Sequence, residues 1–153
     1  MDNSIRVIDN FLDDKEIDII EEKLTEGDNL FEWFYFPSTT FTKKIPMPVE
    51  LDEKGLVAEG FDTPQLVHCF YSITKQQTAQ MSTKFKLIEC LLNKLEKHDI
   101  KNVMLIRAKA NVLFPTVTNI KHSTPHVDLP YVKYYYNLLY YVNDTDGDTY
   151  FFN

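Results

Sequence analysis

Glycine is scarce in this chain, at 4 of 153 residues, against the roughly 7% of average proteins. With only 7 prolines, this scarcity excludes collagen-like and flexible-linker sequences, and the hydrophobic content of 44% excludes a disordered chain. Cysteine is limited to Cys69 and Cys90, too few for a disulfide framework, and no Cys-x-x-Cys accompanies the 4 histidines to make a zinc knuckle. A reducing compartment is expected. Basic residues are outnumbered 16 to 23, for a net charge of −7, which argues against general nucleic-acid or anionic-membrane binding through a broad basic face. No apolar run approaches the ~20 residues of a membrane span, and the start Met1-Asp2-Asn3-Ser4-Ile5-Arg6 lacks a signal-peptide core. The sequence therefore predicts a cytoplasmic protein with no membrane contact, folded as one domain over 1–153.

Aromatics are plentiful and unevenly placed. Seven of the 9 tyrosines follow position 130, and the chain stops at Tyr150-Phe151-Phe152-Asn153. Chain ends are ordinarily polar and frayed, so this one reads as an aromatic strand cut short.

The first elements are a β-prone stretch, Ile5 to Ile8, then a helix announced by Asp13 with Glu16 three positions on, the pattern of a capping box. Ile17, Ile20 and Leu24 share its apolar stripe and Gly27 is a plausible stop. Aromatics crowd Leu30 to Phe36, after which Pro37, Pro46 and Pro48 predict a loop laid over the core up to Gly60. Leu66 to Ser72 reads as a strand. A second helix is predicted from Ser82, burying Phe85, Ile88, Leu92 and Leu95, with Lys84, Lys86, Glu89, Lys94, Glu96 and Lys97 mainly outside. Beyond Asn102 the period becomes two: Ile106, Ala108, Ala110 and Val112 alternate with Arg107, Lys109, Asn111 and Leu113. A turn-rich stretch from Pro115 to Pro125 precedes His126-Val127-Asp128. A long strand Val132 to Val142, a turn at Asn143 to Asp148 and a strand from Thr149 then predict an antiparallel hairpin. Helices first and strands after give an α+β fold.

His126-Val127-Asp128 is the most informative triplet. In an extended segment, side chains two apart share a face, with Cα atoms about 6–7 Å apart, so both could reach one metal ion. Pro125 and Pro130 remove ladder donors on either side, which suits a rigid rim better than a central strand. One imidazole and one carboxylate are two members of the 2-His-1-carboxylate triad that holds iron(II) with positions open for a co-substrate and dioxygen. The bland alternative is a turn in which Asp128 bonds a backbone N–H.

The order of these segments, with Arg107-x-Lys109-x-Asn111, Pro125-His126-Val127-Asp128, Leu139-Tyr140-Tyr141-Val142-Asn143 and Gly147-Asp148-Thr149-Tyr150-Phe151-Phe152, resembles the iron(II)/2-oxoglutarate-dependent dioxygenases of the prolyl-hydroxylase-like branch. It looks closest to the small versions of phages and marine microbes. The resemblance covers most of the chain, from Arg6-Val7-Ile8-Asp9-Asn10-Phe11-Leu12 onward, and rests on motif order more than on any single motif. It implies a double-stranded β-helix (jelly-roll, cupin-like) core with the N-terminal helices packed on its sheet, and Fe(II), 2-oxoglutarate and dioxygen as the reactive partners. It makes His126 and Asp128 metal ligands. Tyr141 matches the tyrosine that bonds the distal carboxylate of 2-oxoglutarate, and Asn111 is a further polar pocket contact. Where the prolyl hydroxylases often carry Tyr-Pro, this chain has Phe114-Pro115 and lacks the hydroxyl. The family also has a distal His ligand and an Arg or Lys that pairs with 2-oxoglutarate, both after the Gly-x-Thr-x-Phe strand; residues 1–153 hold neither there. The expectation is a C-terminally truncated domain, inactive alone, with His122 as the only nearby substitute ligand.

The implied substrate is a prolyl residue of a peptide or protein, or another small molecule. The competing class is a non-catalytic β-sandwich-like binding or structural domain that uses its aromatic surface as an interface. Tyr141 then becomes a sheet aromatic, and Arg107, Lys109 and Asn111 a solvated strand face. His68, in the apolar run Leu66-Val67-His68-Cys69-Phe70, reads as a satisfied buried histidine. His98 reads as a charge at a helix C-terminus, and Cys69 and Cys90 as unreactive core thiols.

Overall fold

A computed structural model describes residues 5–26, 31–37, 63–74, 77–115, 126, 128, 129, 132, 134–145 and 147–151. Among these residues the architecture is mixed α/β, in line with the coarse α+β expectation. Its elements are helix α1 (Asp14–Glu21), strands β1 (Phe34–Phe36), β2 (Gln65–Ile73) and β3 (Ala79–Met81), helix α2 (Glu89–Lys94) and strand β4 (Arg107–Leu113). The strands form one open sheet in which β2 pairs with β1, β3 and β4. The expected helix stop at Gly27, the loop through Pro46 and Pro48 to Gly60, and the turn-rich stretch 116–125 with His122 lie outside the described residues.

The chain divides into two compact units, Met1–Glu32 with His68–Ala110, and Trp33–Val67 with Asn111–Asn153. In the first, α1 starts as the sequence dictates. Asp13 sits in extended backbone (φ −83°, ψ 162°) and its carboxylate accepts from the Glu16 N–H at 3.1 Å, while the Glu16 carboxylate accepts from the Asp13 N–H at 3.0 Å. That reciprocal box satisfies two donors a helix start leaves open. Acidic Asp14 and Glu16 in the first turn also suit the positive end of the helix dipole. Ile20 is buried, and past Glu21 the helix widens into a π turn, Glu22–Glu26, where the Thr25 hydroxyl bonds the Glu21 carbonyl at 2.7 Å.

The second helix departs from the single element expected from Ser82. The backbone falls to ψ near zero at Lys84, Ile88 and Lys94, so the segment becomes a 3-10 turn (Phe85–Ile88), the six-residue α2 and a second 3-10 turn (Leu95–His98). Bridge-region residues of this kind interrupt a regular helical ladder. Of the expected apolar face Ile88 is buried, while Phe85, Leu92 and Leu95 are partly buried. Lys94, read as solvent-facing, has a side chain only 16% exposed, and its ammonium bonds Asp13 at 3.3 Å and also Glu16. Its apolar stem lies along the protein while the charged tip reaches two carboxylates. His98, read as a dipole charge, stacks on Phe11 with ring centroids 4.7 Å apart, and its carbonyl accepts from Arg6 at 2.8 Å.

Strand β2 contains the expected Leu66–Ser72 strand and reaches one residue beyond it at each end. Its last residues pair antiparallel with β3 (Tyr71↔Met81, Ser72↔Gln80, Ile73↔Ala79). β3 is exposed throughout, so no apolar alternation announces it. The period of two along β2 turns His68 and Phe70 inward and Cys69 outward, which corrects the reading of Cys69 as core. Cys90 is partly buried, and burial pushes its thiol above the usual cysteine value, in keeping with an unreactive group. The buried apolar side chains of this unit are Leu12, Ile20, Phe70 and Ile88.

In the second unit, β1 pairs antiparallel with the start of β2 (Phe34↔Val67, Tyr35↔Leu66, Phe36↔Gln65). Val67, Thr63 and Gln65 are buried here, as is Leu129. The expected alternation is observed in β4, where Ala110 and Val112 are partly buried and Lys109, Asn111 and Leu113 exposed. Three expected strands, Ile5 to Ile8, Val132 to Val142 and its partner from Thr149, are not formed among the described residues. Tyr134, Tyr136, Leu138, Leu139 and Tyr141 are all exposed. A run with apolar groups on both faces leaves no single face to fix a register. Between the two segments the Gly147 N–H donates to the Thr145 hydroxyl at 3.1 Å, and the Tyr141 and Thr149 hydroxyls bond each other. Among the described residues no helix is long and apolar enough to cross a membrane.

Candidate functional site

His126 and Asp128 converge. The imidazole Nε2 lies 3.5 Å from Asp128 Oδ1, with side chains 41% and 27% exposed. Regular extended geometry is not what brings them together, because Asp128 lies at a bend. Leu129, next in the chain, is buried, and its carbonyl accepts from the Val132 N–H at 3.0 Å. A buried apolar side chain and a backbone hydrogen bond thus follow the carboxylate directly.

An imidazole nitrogen and a carboxylate oxygen are suitable donors for a first-row divalent ion. Metal–donor bonds of about 2.0–2.2 Å span a pair separated by up to about 4 Å, so one ion can bridge these two atoms. Fit in donor type and spacing therefore holds for two positions. Among the described residues no group of three or more His, Cys, Asp and Glu side chains is placed to hold a metal. The protein's other histidines are His68, His98 and His122. His68 is engaged by Glu32 and Ser82 and His98 is stacked on Phe11, while His122 is outside the described residues.

Of the two residues matched to 2-oxoglutarate contacts, Tyr141 is exposed and its hydroxyl bonds Thr149. Either hydroxyl can be the donor there; when Thr149 donates, the phenol keeps its own proton for another acceptor. Asn111 stands on the exposed face of β4.

A second polar cluster lies in the first unit, and the sequence disclosed only half of it. His68 is 2% exposed, as expected of a satisfied buried histidine. Its Nδ1 lies 2.7 Å from the Glu32 carbonyl oxygen and its Nε2 2.9 Å from the Ser82 hydroxyl. The ring sits against Phe31 (centroids 4.6 Å apart) and Phe70 (4.7 Å). Ser82 was legible only as a helix start. Its partnership with His68 depends on the β2–β3 pairing, and the three exposed residues of β3 give no period to read.

No protein-family model, curated protein or solved structure gives a significant match to the chain.

Proposed function

We propose that the chain is an iron(II)- and 2-oxoglutarate-dependent oxygenase domain of the prolyl-hydroxylase-like type, with a double-stranded β-helix as its complete core. The observation that supports this reading is the approach of His126 Nε2 and Asp128 Oδ1 to 3.5 Å, two positions apart in the chain. Iron(II) with 2-oxoglutarate and dioxygen supplies oxidative decarboxylation to succinate and carbon dioxide, coupled to hydroxylation of the substrate. The residues' own tasks are simpler. His126 and Asp128 hold the ion, Tyr141 donates its phenolic proton to a 2-oxoglutarate carboxylate, and Asn111 is a further polar contact. A prolyl residue in a peptide or protein is the proposed substrate class.

The test has two arms. Incubated with Fe(II), ascorbate and 2-oxoglutarate, the protein is expected to form succinate in an iron-dependent manner, and His126→Ala to abolish it. Equal rates in parent and variant would remove the metal assignment. In the second arm, Fe(II) is expected to broaden the His126 imidazole resonances in the parent and to leave the other histidine resonances sharp; unbroadened His126 resonances contradict the metal assignment.

A second reading is favoured by a different observation, the exposure of Tyr134, Tyr136, Leu138, Leu139, Tyr141, Tyr150 and Phe151 within a single stretch of chain. Exposed apolar groups of this density are a mark of interaction surfaces. On that reading the domain is a non-catalytic binding module, and iron-independent behaviour with no succinate formed is its signature.

A further inference from the structure

Ser82 stands at the junction between strand β3, which ends at Met81, and the helical segment that begins at Phe85. Its backbone is fixed from both sides: its N–H donates to the Phe70 carbonyl at 2.9 Å and its carbonyl accepts from Phe85 at 3.1 Å. The hydroxyl accepts from the Lys84 N–H at 3.0 Å and meets His68 Nε2 at 2.9 Å.

The proton positions follow from the partners. The Glu32 carbonyl can only accept, so His68 Nδ1 carries the hydrogen of that 2.7 Å bond. In the neutral ring Nε2 is then the acceptor, and the Ser82 O–H donates to it. The tautomer is therefore the one in which a base nitrogen faces a serine hydroxyl, with the opposite ring nitrogen oriented by a third group. Phe31 and Phe70 against the ring restrict its rotation. His68 is buried, whereas Ser82 is partly exposed and Thr83 exposed, so the serine is the more solvent-accessible residue of the pair.

We propose that Ser82 and His68 form a nucleophile–base pair that takes acyl groups from small carboxylic esters. The Ser82 oxygen attacks the ester carbonyl carbon as its proton passes to His68 Nε2. The C–O bond to the alcohol breaks, and that oxygen leaves with the proton from Nε2, giving an acyl-serine. Water then attacks the acyl carbon by the same route, releasing the carboxylic acid and restoring the hydroxyl. Ester and water become acid and alcohol, with no redox change. The Lys84 N–H steadies the serine oxygen. The Thr83 N–H holds the chain position that supplies an oxyanion donor in strand–turn–helix nucleophile sites. The orienting group is a neutral carbonyl and not a carboxylate, so it favours the protonated ring less strongly, and a slow enzyme is expected.

The proposal is independent of the metal reading and is tested on the intact chain with a fluorophosphonate probe, followed by peptide mapping. The expected result is one adduct per chain, on Ser82, lost in Ser82→Ala and absent from the urea-unfolded parent. His68→Gln is expected to slow labelling by about 10²–10⁴-fold, the usual contribution of a general base. No Ser82 adduct on the folded parent, or equal labelling folded and unfolded, overturns the proposal. So does a natively folded His68→Gln that labels as fast as the parent. If circular dichroism shows that variant unfolded, the comparison of folded and unfolded parent decides.

Discussion

His68 is a buried side chain that ties Glu32 to Ser82 within the first unit. A buried imidazole is costly unless both nitrogens are paired, and here each has a partner within 2.9 Å. Replacing it by Ala removes a ring packed against Phe31 and Phe70 and leaves the Glu32 carbonyl and Ser82 hydroxyl without it. His68→Ala is expected to lower unfolding free energy by about 3 kcal/mol, read from urea denaturation. Ser82→Ala, which removes the hydroxyl that pairs with Nε2 and with the Lys84 N–H, is expected to cost about 1–2 kcal/mol. A cost for His68→Ala no larger than for an exposed substitution would show that the cluster is dispensable to folding. At this scale the sequence was a fair guide to burial and a poor one to partners. An apolar neighbourhood is written in the adjacent residues, whereas Glu32 and Ser82 are brought in from 36 and 14 positions away.

The start of α1 and the end of α2 are joined through one lysine. Lys94 donates to Asp13 and Glu16, and the Glu16 bond holds its ammonium above the usual lysine value. The Glu16 backbone N–H, with Lys94 assisting, holds the Asp13 carboxyl below the usual aspartate value. The signs give two limbs. A lowered folded-state pKa at Asp13 stabilises above the ordinary carboxylate range and is lost as pH falls below about 4; a raised one at Lys94 stabilises below the ordinary lysine value and is lost as pH rises past about 10. The melting temperature is therefore expected to hold a plateau between these limits and fall on both sides. Lys94→Met should lower the plateau by a few degrees and remove the alkaline limb while leaving most of the acid one, which the Glu16 N–H sustains; an unchanged alkaline limb would place the linkage elsewhere. The capping box was readable because its partners are three residues apart and the pattern itself is the bond. The break of the second helix was not, because Phe85 to His98 keeps a helical apolar period across the points where the backbone leaves the α region. The hairpin expected after Val132 failed for the converse reason: its residues favour strand, but a strand exists only where a neighbour supplies hydrogen bonds.

Across the whole molecule, a net charge of −7 coexists with a stretch of exposed tyrosines and leucines between Tyr134 and Phe151. Charge repulsion opposes association while the apolar patch promotes it. Tyr136→Lys with Leu139→Lys, both at exposed positions, is expected to reduce binding of a hydrophobic dye and concentration-dependent light scattering while leaving the melting temperature within about a degree. A large drop in melting temperature would mean that these side chains pack in solution. The His126–Asp128 pair was legible as a motif for the same reason as the capping box, since both partners lie within three residues. Tyr141 and Asn111 entered only through resemblance to a family, and their roles depend on long-range placement that no local pattern encodes.

The alternation of β2 also has a practical use. Cys69 faces solvent and Cys90 is partly buried with its thiol held protonated, so a maleimide dye should couple at a single position without any engineering. That label would sit on the residue between His68 and Phe70, and a change in its emission would report when this stretch of strand opens.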